Sequence, residues 1–508
     1  MRMEGSTGCL PTVKKGNPTT THHRKPITTR DDTMPLTTTR ARLLMLALLI
    51  AEVCSAFEVS MIYAALPTLN RQFGDPASVS WVISACFLMS AIAAALCGRL
   101  GDLLGRKQLL LAALASCAVG SLISGFSATL AGVIVGATLQ GVSGAIMSLC
   151  YGLAREWMPA AKVPVAIGTI TAAAALGSGA GLMLGGVIVD NYSWNTMFFV
   201  SGSYALLCVA VVFFLVPSKR RAASQFQQIN LVRGILFAPA IAGMLLAVKF
   251  GPAWQWDWRS IGLLALSIAL FVTWIRLQWR ADYPLINLRL FTQRRVLIAY
   301  ICMALTGIGA LQIAQIMSTF LQQPGWTGAG FALSATMAGA ILLPSNLVGL
   351  IASPLSGKVA GHYGARQAVI LAGAMIFLGW GMLVLVHHDL WVVGSLIVLC
   401  AFGFSMMYAG IPNLIIESVP ENQTSEATGL AAVVRATSMA IGAQIIGMIL
   451  SSSTVTSDDP LITAQLPSAS AFVLGFGFIA LTGLLSLLLA WSALTRQGYK
   501  AQKAVEAH

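Results

Sequence analysis

Three ionisable side chains lie inside long apolar stretches of this sequence, where they are well placed to do chemistry. Glu52 and Glu58 occur in one stretch, and Arg435 occurs in another. An ionisable group inside a membrane-spanning helix is costly, so it indicates a functional site by default. A carboxyl group in a low-dielectric cavity can exchange a proton near neutral pH, and a nearby arginine opposes that exchange. The three residues therefore predict a proton-coupling site.

The spacing of the two acids limits what each can face. Glu52 and Glu58 are six residues apart, which is about 600° of helix and leaves them roughly 120° apart around its axis. Both cannot point straight into one central cavity. We expect Glu58, nearer the middle of the stretch, to face the cavity, and Glu52 to pack against a neighbouring helix. A static buried ion pair stays open for Glu58, and Arg435 is either a tie between helices or a substrate-binding or coupling group.

The elements that must position these residues are membrane-spanning helices. Of the 508 residues, 57% are hydrophobic and only 10% are charged, against roughly 25% charged residues in soluble domains. This excludes a soluble enzyme, a disordered protein and a small disulfide scaffold. A span needs about 20 mostly apolar residues. Fourteen such stretches predict an all-α polytopic membrane protein: 43–68, 79–97, 108–126, 129–153, 164–189, 196–216, 232–250, 260–278, 296–321, 330–354, 368–387, 390–414, 427–451 and 470–494.

The positive charges predict the orientation of these spans. If both termini are cytoplasmic, 27 of the 31 Lys and Arg residues fall in cytoplasmic segments and three fall outside. Such a bias is the positive-inside signal, so we expect a multi-pass plasma (inner) membrane protein. The basic residues behind the net charge of +13 are thus expected to determine the topology of the spans. We therefore expect no nucleic-acid partner.

Two loops indicate an internal repeat. Gly98–Lys107 reads GRLGDLLGRK, and Gly357–Arg366 reads GKVAGHYGAR, at an offset of 357 − 98 = 259 residues. Two six-span halves joined directly would be offset by roughly 200 residues, so two further spans lie between them. The predicted domains are a disordered basic leader (1–42), an N-terminal six-helix bundle (43–216), a linker with two extra spans (217–295), a C-terminal six-helix bundle (296–494) and a cytoplasmic tail (495–508).

Small and polar residues supply the other candidates. Gly98 and Gly105 permit a tight turn, and Asp102 is spaced to pair with Arg106 or with a helix N-terminus. Gly177, Gly181 and Gly185 share one helix face, which allows close helix approach. With Gly186 they are either plain packing residues or the seal or hinge of an outside gate. The candidates for the substrate cavity, each also able to be a hydrogen bond between helices, are Tyr63, Gln140, Tyr151, Gln312, Gln315, Asn346, Trp380, Tyr408 and Asn413.

The GRLGDLLGRK loop after the second span resembles the signature loop of the major facilitator superfamily. The resemblance extends over nearly all of 43–494 and is greatest to the fourteen-span drug:proton antiporters. Glu58 stands where the first-span motif of that branch usually has Asp, and Gly177–Gly186 is similar to its antiporter motif. Ser425–Gly429, followed by Arg435, resembles its thirteenth-span pattern. The resemblance implies two bundles that rock around a central site, with a cytoplasmic gate at the signature loop.

Three positions depart from the family pattern. Ala137 replaces the usual fourth-span Arg, Leu182 replaces the Pro of the antiporter motif, and Gly361 stands at the Asp position of the second signature loop. The first two departures bear on proton coupling. We expect proton-coupled export of a small amphipathic drug or metabolite. The alternatives are an uptake symporter or facilitator of an organic solute, and a non-transporting membrane sensor.

No motif for other chemistry is visible in the sequence. It contains no phosphate-binding GxxxxGK[ST] loop, no GxSxG, no HExxH and no Cys/His metal cluster. We therefore expect no enzymatic activity, no metal and no cofactor, with the proton gradient as the energy source. The expected partners are a small organic substrate, protons and the lipid bilayer, and the protein is expected to be a monomer.

Overall fold

A computed structural model describes residues 38–101, 105–159, 163–218, 236–251, 254–280, 291–419, 424–456 and 465–493. Nearly all of these residues are helical. In chain order the helices are α1 Thr38–Phe73, α2 Pro76–Leu100, α3 Arg106–Phe126, α4 Leu130–Gln140, α5 Ile146–Trp157, α6 Val163–Asn191, α7 Trp194–Leu215, α8 Phe237–Phe250, α9 Trp258–Trp279, α10 Arg294–Ile308, α11 Ile313–Leu321, α12 Ala335–Leu347, α13 Gly349–Tyr363, α14 Ala365–Leu385, α15 Leu390–Ile416, α16 Thr424–Ser451 and α17 Ala469–Ala493. Strands β1 Thr454–Val455 and β2 Leu466–Pro467 pair antiparallel.

Within the described ranges, 13 helical segments are long and apolar enough to cross a membrane. The remaining predicted span, near 232–250, contains the 14-residue helix α8, whose preceding residues up to 235 lie outside the described part. The predicted break between the eleventh and twelfth spans is present, because α14 ends at Leu385 and the Asp389 carboxylate caps the start of α15. An all-α polytopic membrane architecture is thereby confirmed.

Three spans are broken near their middles. α4 and α5 are joined by a 3₁₀ turn at Gly141–Ala145, and α10 and α11 by a 3₁₀ turn at Ala310–Gln312. In α12–α13 the break falls after Leu347. At Gly141 a side chain would overlap the backbone of Cys86 on α2, so the first break rests on a position where a side chain does not fit.

Hydrogen bonds near the helix ends define the two ends of the bundle. We call the upper end the one with the α3–α4 and α6–α7 connections, where Asn195 Nδ2 donates to Gly125 O at 2.9 Å. The lower end is the one with the start of α3 and the end of α7, where Lys107 Nζ donates to Phe213 O at 2.8 Å. The spans α3 and α7, which pack against each other, therefore run in opposite directions.

The helices pack in pairs and form two sets that contact each other. α1 packs along α6, α3 along α7, and α14 along both α15 and α17. Helices α1–α7, the N-terminal helices, meet helices α10–α17, the C-terminal helices, mainly through α2 against α16 and α6 against α12. The predicted domain limits stay a prediction, and the two names are used only to locate residues.

Candidate functional site

A cavity of about 280 Å³ lies between the N-terminal and C-terminal helices. The three broken spans all reach it at their breaks, through Ser143 and Gly144, through Leu311 and Ile313, and through Ser345 and Asn346. Its walls combine apolar and aromatic side chains with hydroxyl groups and one charge of each sign. The lining residues used below are Glu52, Tyr63, Phe87, Met147, Leu182, Ala314, Asn346, Phe404, Arg435 and Met439.

Glu52 and Arg435 are the two ionisable residues of opposite charge that line the cavity. Glu52 on α1 is 1% exposed, and its Oε2 has no hydrogen-bond partner among the described residues. Arg435 on α16 is half-buried. Arg435 Nη1 donates to the hydroxyl of Tyr408, and the guanidinium lies 4.9 Å from the centre of the Tyr408 ring. The arginine is thus oriented by α15 while it faces an acid on α1.

Glu58 lies in a different environment. It is 2% exposed and does not line the cavity; Ser201 Oγ donates to its Oε1 at 3.1 Å and Ser121 Oγ does so at 3.4 Å. Gln140 Nε2 in turn donates to Ser121 Oγ at 2.7 Å. The acid is therefore enclosed by α3, α4 and α7, and Ala137 on α4 is fully buried.

The two acids have exchanged the orientations expected from the sequence. They do point in different directions from α1, but Glu52 faces the cavity and Glu58 faces the interior of the N-terminal helices. The physical reason is that α1 is clamped between α6 and α7, so the face opposite the cavity is also buried. Depth along the span therefore did not decide which acid reaches the cavity.

The polar candidates divide between the cavity and ties between helices. Tyr63 and Asn346 line the cavity, and the Tyr63 hydroxyl has no partner among the described residues. Gln312 Nε2 donates to Gly307 O at 2.8 Å and to Met439 O at 3.1 Å. Gln315 Nε2 donates to Ser80 Oγ and Ala443 O, each at 3.1 Å. The two glutamines are therefore ties between helices.

The remaining candidates lie away from the cavity. Trp380 is fully buried against Phe476, with ring centres 5.8 Å apart. Asn413 is half-buried near the lower end of α15, where its carbonyl accepts from the Glu417 amide at 2.9 Å. Tyr151 is half-buried on α5. None of these three lines the cavity.

The glycine stripe packs α6 against α1. A Cβ at Gly177 would lie 2.6 Å from Val53 O, one at Gly181 would lie 2.6 Å from Phe57 O, and one at Gly185 would lie 3.0 Å from the Ala64 Cβ. Gly186 points elsewhere, since its Cβ would lie 2.5 Å from Ala335 O on α12. Of the four predicted gate glycines, only Gly186 faces the C-terminal helices.

The upper end is closed by polar contacts that the sequence analysis did not identify. Asp190 accepts from the amides of Ala335 at 2.8 Å and Thr336 at 2.7 Å. Gln444 Nε2 donates to Ala77 O at 3.1 Å, joining α16 to α2. In the sequence, only the positions of these residues could have indicated them. Asp190 follows the glycine stripe on the same helix, and Gln444 is a polar residue within a span.

The signature loop is described in part. Asp102 and the surroundings of Gly98 lie outside the described residues, so the predicted Asp102–Arg106 pair is not addressed. Arg106 Nη1 donates to Gly152 O at 2.7 Å and lies 3.7 Å from Glu156 Oε2 on α5.

The two signature loops share a backbone conformation. Gly105 has φ +95° and ψ +127°, and Gly364 has φ +88° and ψ +151°. Only glycine adopts such values readily. The two residues are 364 − 105 = 259 positions apart, which is the offset of the sequence repeat. The repeat is therefore structural as well as sequential.

These features agree with a match of the chain to a known family. The sequence model of the Major Facilitator Superfamily matches residues 48–443. The chain belongs to the major facilitator superfamily. It is therefore a multi-pass membrane transporter that acts on a small molecule, built on the fold described above.

Curated members and solved structures of the family are similar over most of the chain. "Multidrug resistance protein Stp" of Mycobacterium tuberculosis (strain CDC 1551 / Oshkosh) is 28% identical over 80% of this chain and 75% of its own length. The "Tetracenomycin C resistance and export protein" of Streptomyces glaucescens is 25% identical over 80% and 76%. The xylose transporter XylE from E. coli has a TM-score of 0.59 at 12% identity, covering 90% and 100%. The nucleoside transporter NupG has a TM-score of 0.58 at 13% identity, covering 88% and 98%.

Proposed function

We propose that this transporter exports small amphipathic organic molecules by alternating access, driven by protons that Glu52 carries. The observation that carries the proposal is the central cavity itself, which holds Glu52 and Arg435 between apolar and aromatic walls. Phe87 and Phe404 offer faces for rings, and Met147 and Met439 are flexible thioethers that adapt to irregular shapes. Such a lining suits organic molecules with an apolar body and a few polar groups.

The charge distribution and the contacts at the upper end support an orientation of this state in the membrane. The lower end carries the described part of the signature loop and most of the described Lys and Arg residues, which supports a cytoplasmic lower end by the positive-inside rule. The upper end, where Asp190 and Gln444 bridge the helices, then faces outward. In this state the cavity is shut off from the outside, and its substrate would load from the cytoplasm or the inner leaflet.

Glu52 is the better placed acid for coupling. Its carboxyl lines the same cavity as Arg435, which belongs to a helix of the other half, so rocking of the halves changes its electrostatic surroundings. A bound substrate does the same, which is the differential interaction that coupling requires. Glu58 keeps its partners Ser121 and Ser201 within the N-terminal helices, and rocking leaves them unchanged. We therefore assign Glu58 a structural role.

The names of the relatives support export. The mycobacterial and streptomycete relatives are named for multidrug resistance and for tetracenomycin C resistance and export. The second candidate is uptake or facilitated diffusion, favoured by Ala137 and Leu182 and by the "Uridine/deoxyuridine transporter" of Lactococcus lactis subsp. cremoris, 27% identical over 76% of this chain and 82% of its own length. A transport assay with a defined gradient separates the two.

The test uses inside-out vesicles that contain the protein and have an acidic lumen. A panel of fluorescent amphipathic molecules, together with uridine and xylose, is offered at the cytoplasmic face. Export predicts gradient-dependent accumulation of one or more amphipathic molecules, and collapse of the gradient with an uncoupler should release them. Equilibration unaffected by the gradient, or accumulation only when the gradient is reversed, would contradict proton-driven export.

A further inference from the structure

The N-terminus of α12 is capped from two separate parts of the chain. The first four amides of a helix have no partner within it. Ser334 is the N-cap, and its carbonyl accepts the first bond within the helix, from Ala338 N at 3.0 Å. Its Oγ accepts from one of the unpartnered amides, Met337 N, at 3.2 Å. Two more of these amides, of Ala335 and Thr336, donate to Asp190 at 2.8 and 2.7 Å. Asp190 therefore completes a cap that Ser334 leaves incomplete.

Two other aspartates among the described residues cap the helix that they begin. Asp389 accepts from Trp391 N and Val392 N at 2.9 and 3.0 Å, and Asp257 accepts from Arg259 N and Ser260 N at 2.9 and 3.3 Å. Asp190 is 145 positions away from Ala335 and lies on α6. Its carboxylate thus holds two helices from opposite halves of the transporter together, and a helix N-terminus attracts such a negative charge.

One face of α6 connects this contact to the cavity. Leu182, Gly186 and Asp190 follow one another at intervals of four residues and so lie along one face. Leu182 lines the cavity, and its carbonyl would lie 2.8 Å from a Cβ at Gly339 on α12. Gly186 approaches Ala335 with similar closeness. Next to this face, the stripe of Gly177, Gly181 and Gly185 attaches α6 to α1.

We propose that Asp190 is a positioning residue that latches the upper gate shut. The latch is the bond of its carboxylate to the Ala335 and Thr336 amides, made while the cavity is closed above and broken when α6 and α12 separate. The side chain is exposed, so water replaces the lost partners on both sides and release is reversible. The latch sets how long the upper gate stays closed, and it requires neither a particular substrate nor coupling to protons.

The test measures access to the cavity from the upper end. Native Cys86 also lines the cavity, so the test uses Ala314→Cys in a Cys86→Ser background, which leaves one thiol among the described lining residues. This thiol is treated with a membrane-impermeant maleimide in intact cells. Asp190→Asn keeps the size and one acceptor but removes the charge. We expect the rate at which the introduced cysteine is labelled to be roughly 5- to 30-fold higher in Asp190→Asn than in the parent, the range typical of a lost charge–amide contact at a helix N-terminus. Unchanged labelling would overturn the proposal.

Two further variants distinguish a latch from general loosening. Asp389→Asn removes a matched helix-capping charge within α15 alone and should leave labelling as in the parent. Ala335→Pro removes the donor from the opposite side of the latch; proline suits the first helical position, and Ser334 already has the extended conformation that precedes proline. Ala335→Pro should reproduce the effect of Asp190→Asn, and the double variant should add little to either. Additive effects, or an equal effect of Asp389→Asn, would refute a shared latch.

Discussion

Gly186→Ala should open the upper gate, because it places a methyl group between two backbones that belong to different halves. The new Cβ would lie 2.5 Å from Ala335 O, whereas ordinary contacts of a Cβ are 3.4–4 Å, so α6 and α12 must separate by about 0.9 Å (3.4 − 2.5). Overpacking of this kind costs about 1–3 kcal/mol. The contact is absent once the gate opens, so the cost falls on the closed state alone and shifts the equilibrium about 5- to 150-fold toward opening.

Gly181→Ala is the matched control, because it adds the same methyl group to α6 five residues earlier, about 140° around the helix axis. Its Cβ would lie 2.6 Å from Phe57 O on α1, and α1 and α6 move together in both states. The cost is then equal in the two states, so the thermal stability should fall while the gate equilibrium stays unchanged. Maleimide labelling of Ala314→Cys reports the gate, and thermal unfolding in detergent reports stability. Equal labelling of the two glycine variants would refute the assignment of their separate roles.

Three further predictions follow from local geometry. Arg435→Lys keeps the charge but loses the planar stacking on Tyr408, so the KM for transport should rise several-fold; an unchanged KM would remove Arg435 from substrate binding. Glu58→Gln should preserve transport and change the free energy of unfolding by less than about 1 kcal/mol. Glu58→Ala leaves a cavity and unpaired hydroxyls, so it should lower the free energy of unfolding by about 2–4 kcal/mol. Loss of gradient-driven transport in Glu58→Gln would contradict the structural role of Glu58. Gly105→Ala forces alanine to a positive φ and should cost about 1–2 kcal/mol, whereas Gly361→Ala, with open space around its Cβ, should be neutral in the same unfolding assay.

Much of the architecture follows from local sequence. The apolar stretches predict the spans because hydrocarbon thickness fixes their length, and the Asp389 cap marks the break that the apolar run nearly hides. The repeated glycine at Gly105 and Gly364 predicts a shared turn, since few other residues adopt that conformation. The angle between Glu52 and Glu58 likewise follows from helix geometry alone.

The facing of each residue depends on contacts distant in sequence. α1 is buried on several sides, so its periodicity does not reveal which acid reaches the cavity. Gln312 and Gln315 resemble cavity residues by type, yet their amides are used by backbone carbonyls of α16. Asp190 accepts from an amide 145 positions further along the chain, and no local sequence pattern predicts that pairing.

The account rests on Glu52 as the proton-carrying group of the cavity. In vesicles, Glu52→Gln should still exchange labelled for unlabelled substrate across the membrane, because exchange needs only alternating access, but it should no longer accumulate substrate against a gradient when an acidic lumen is imposed. Glu58→Gln, measured in parallel, should do both. Retained gradient-driven accumulation in Glu52→Gln would contradict the account.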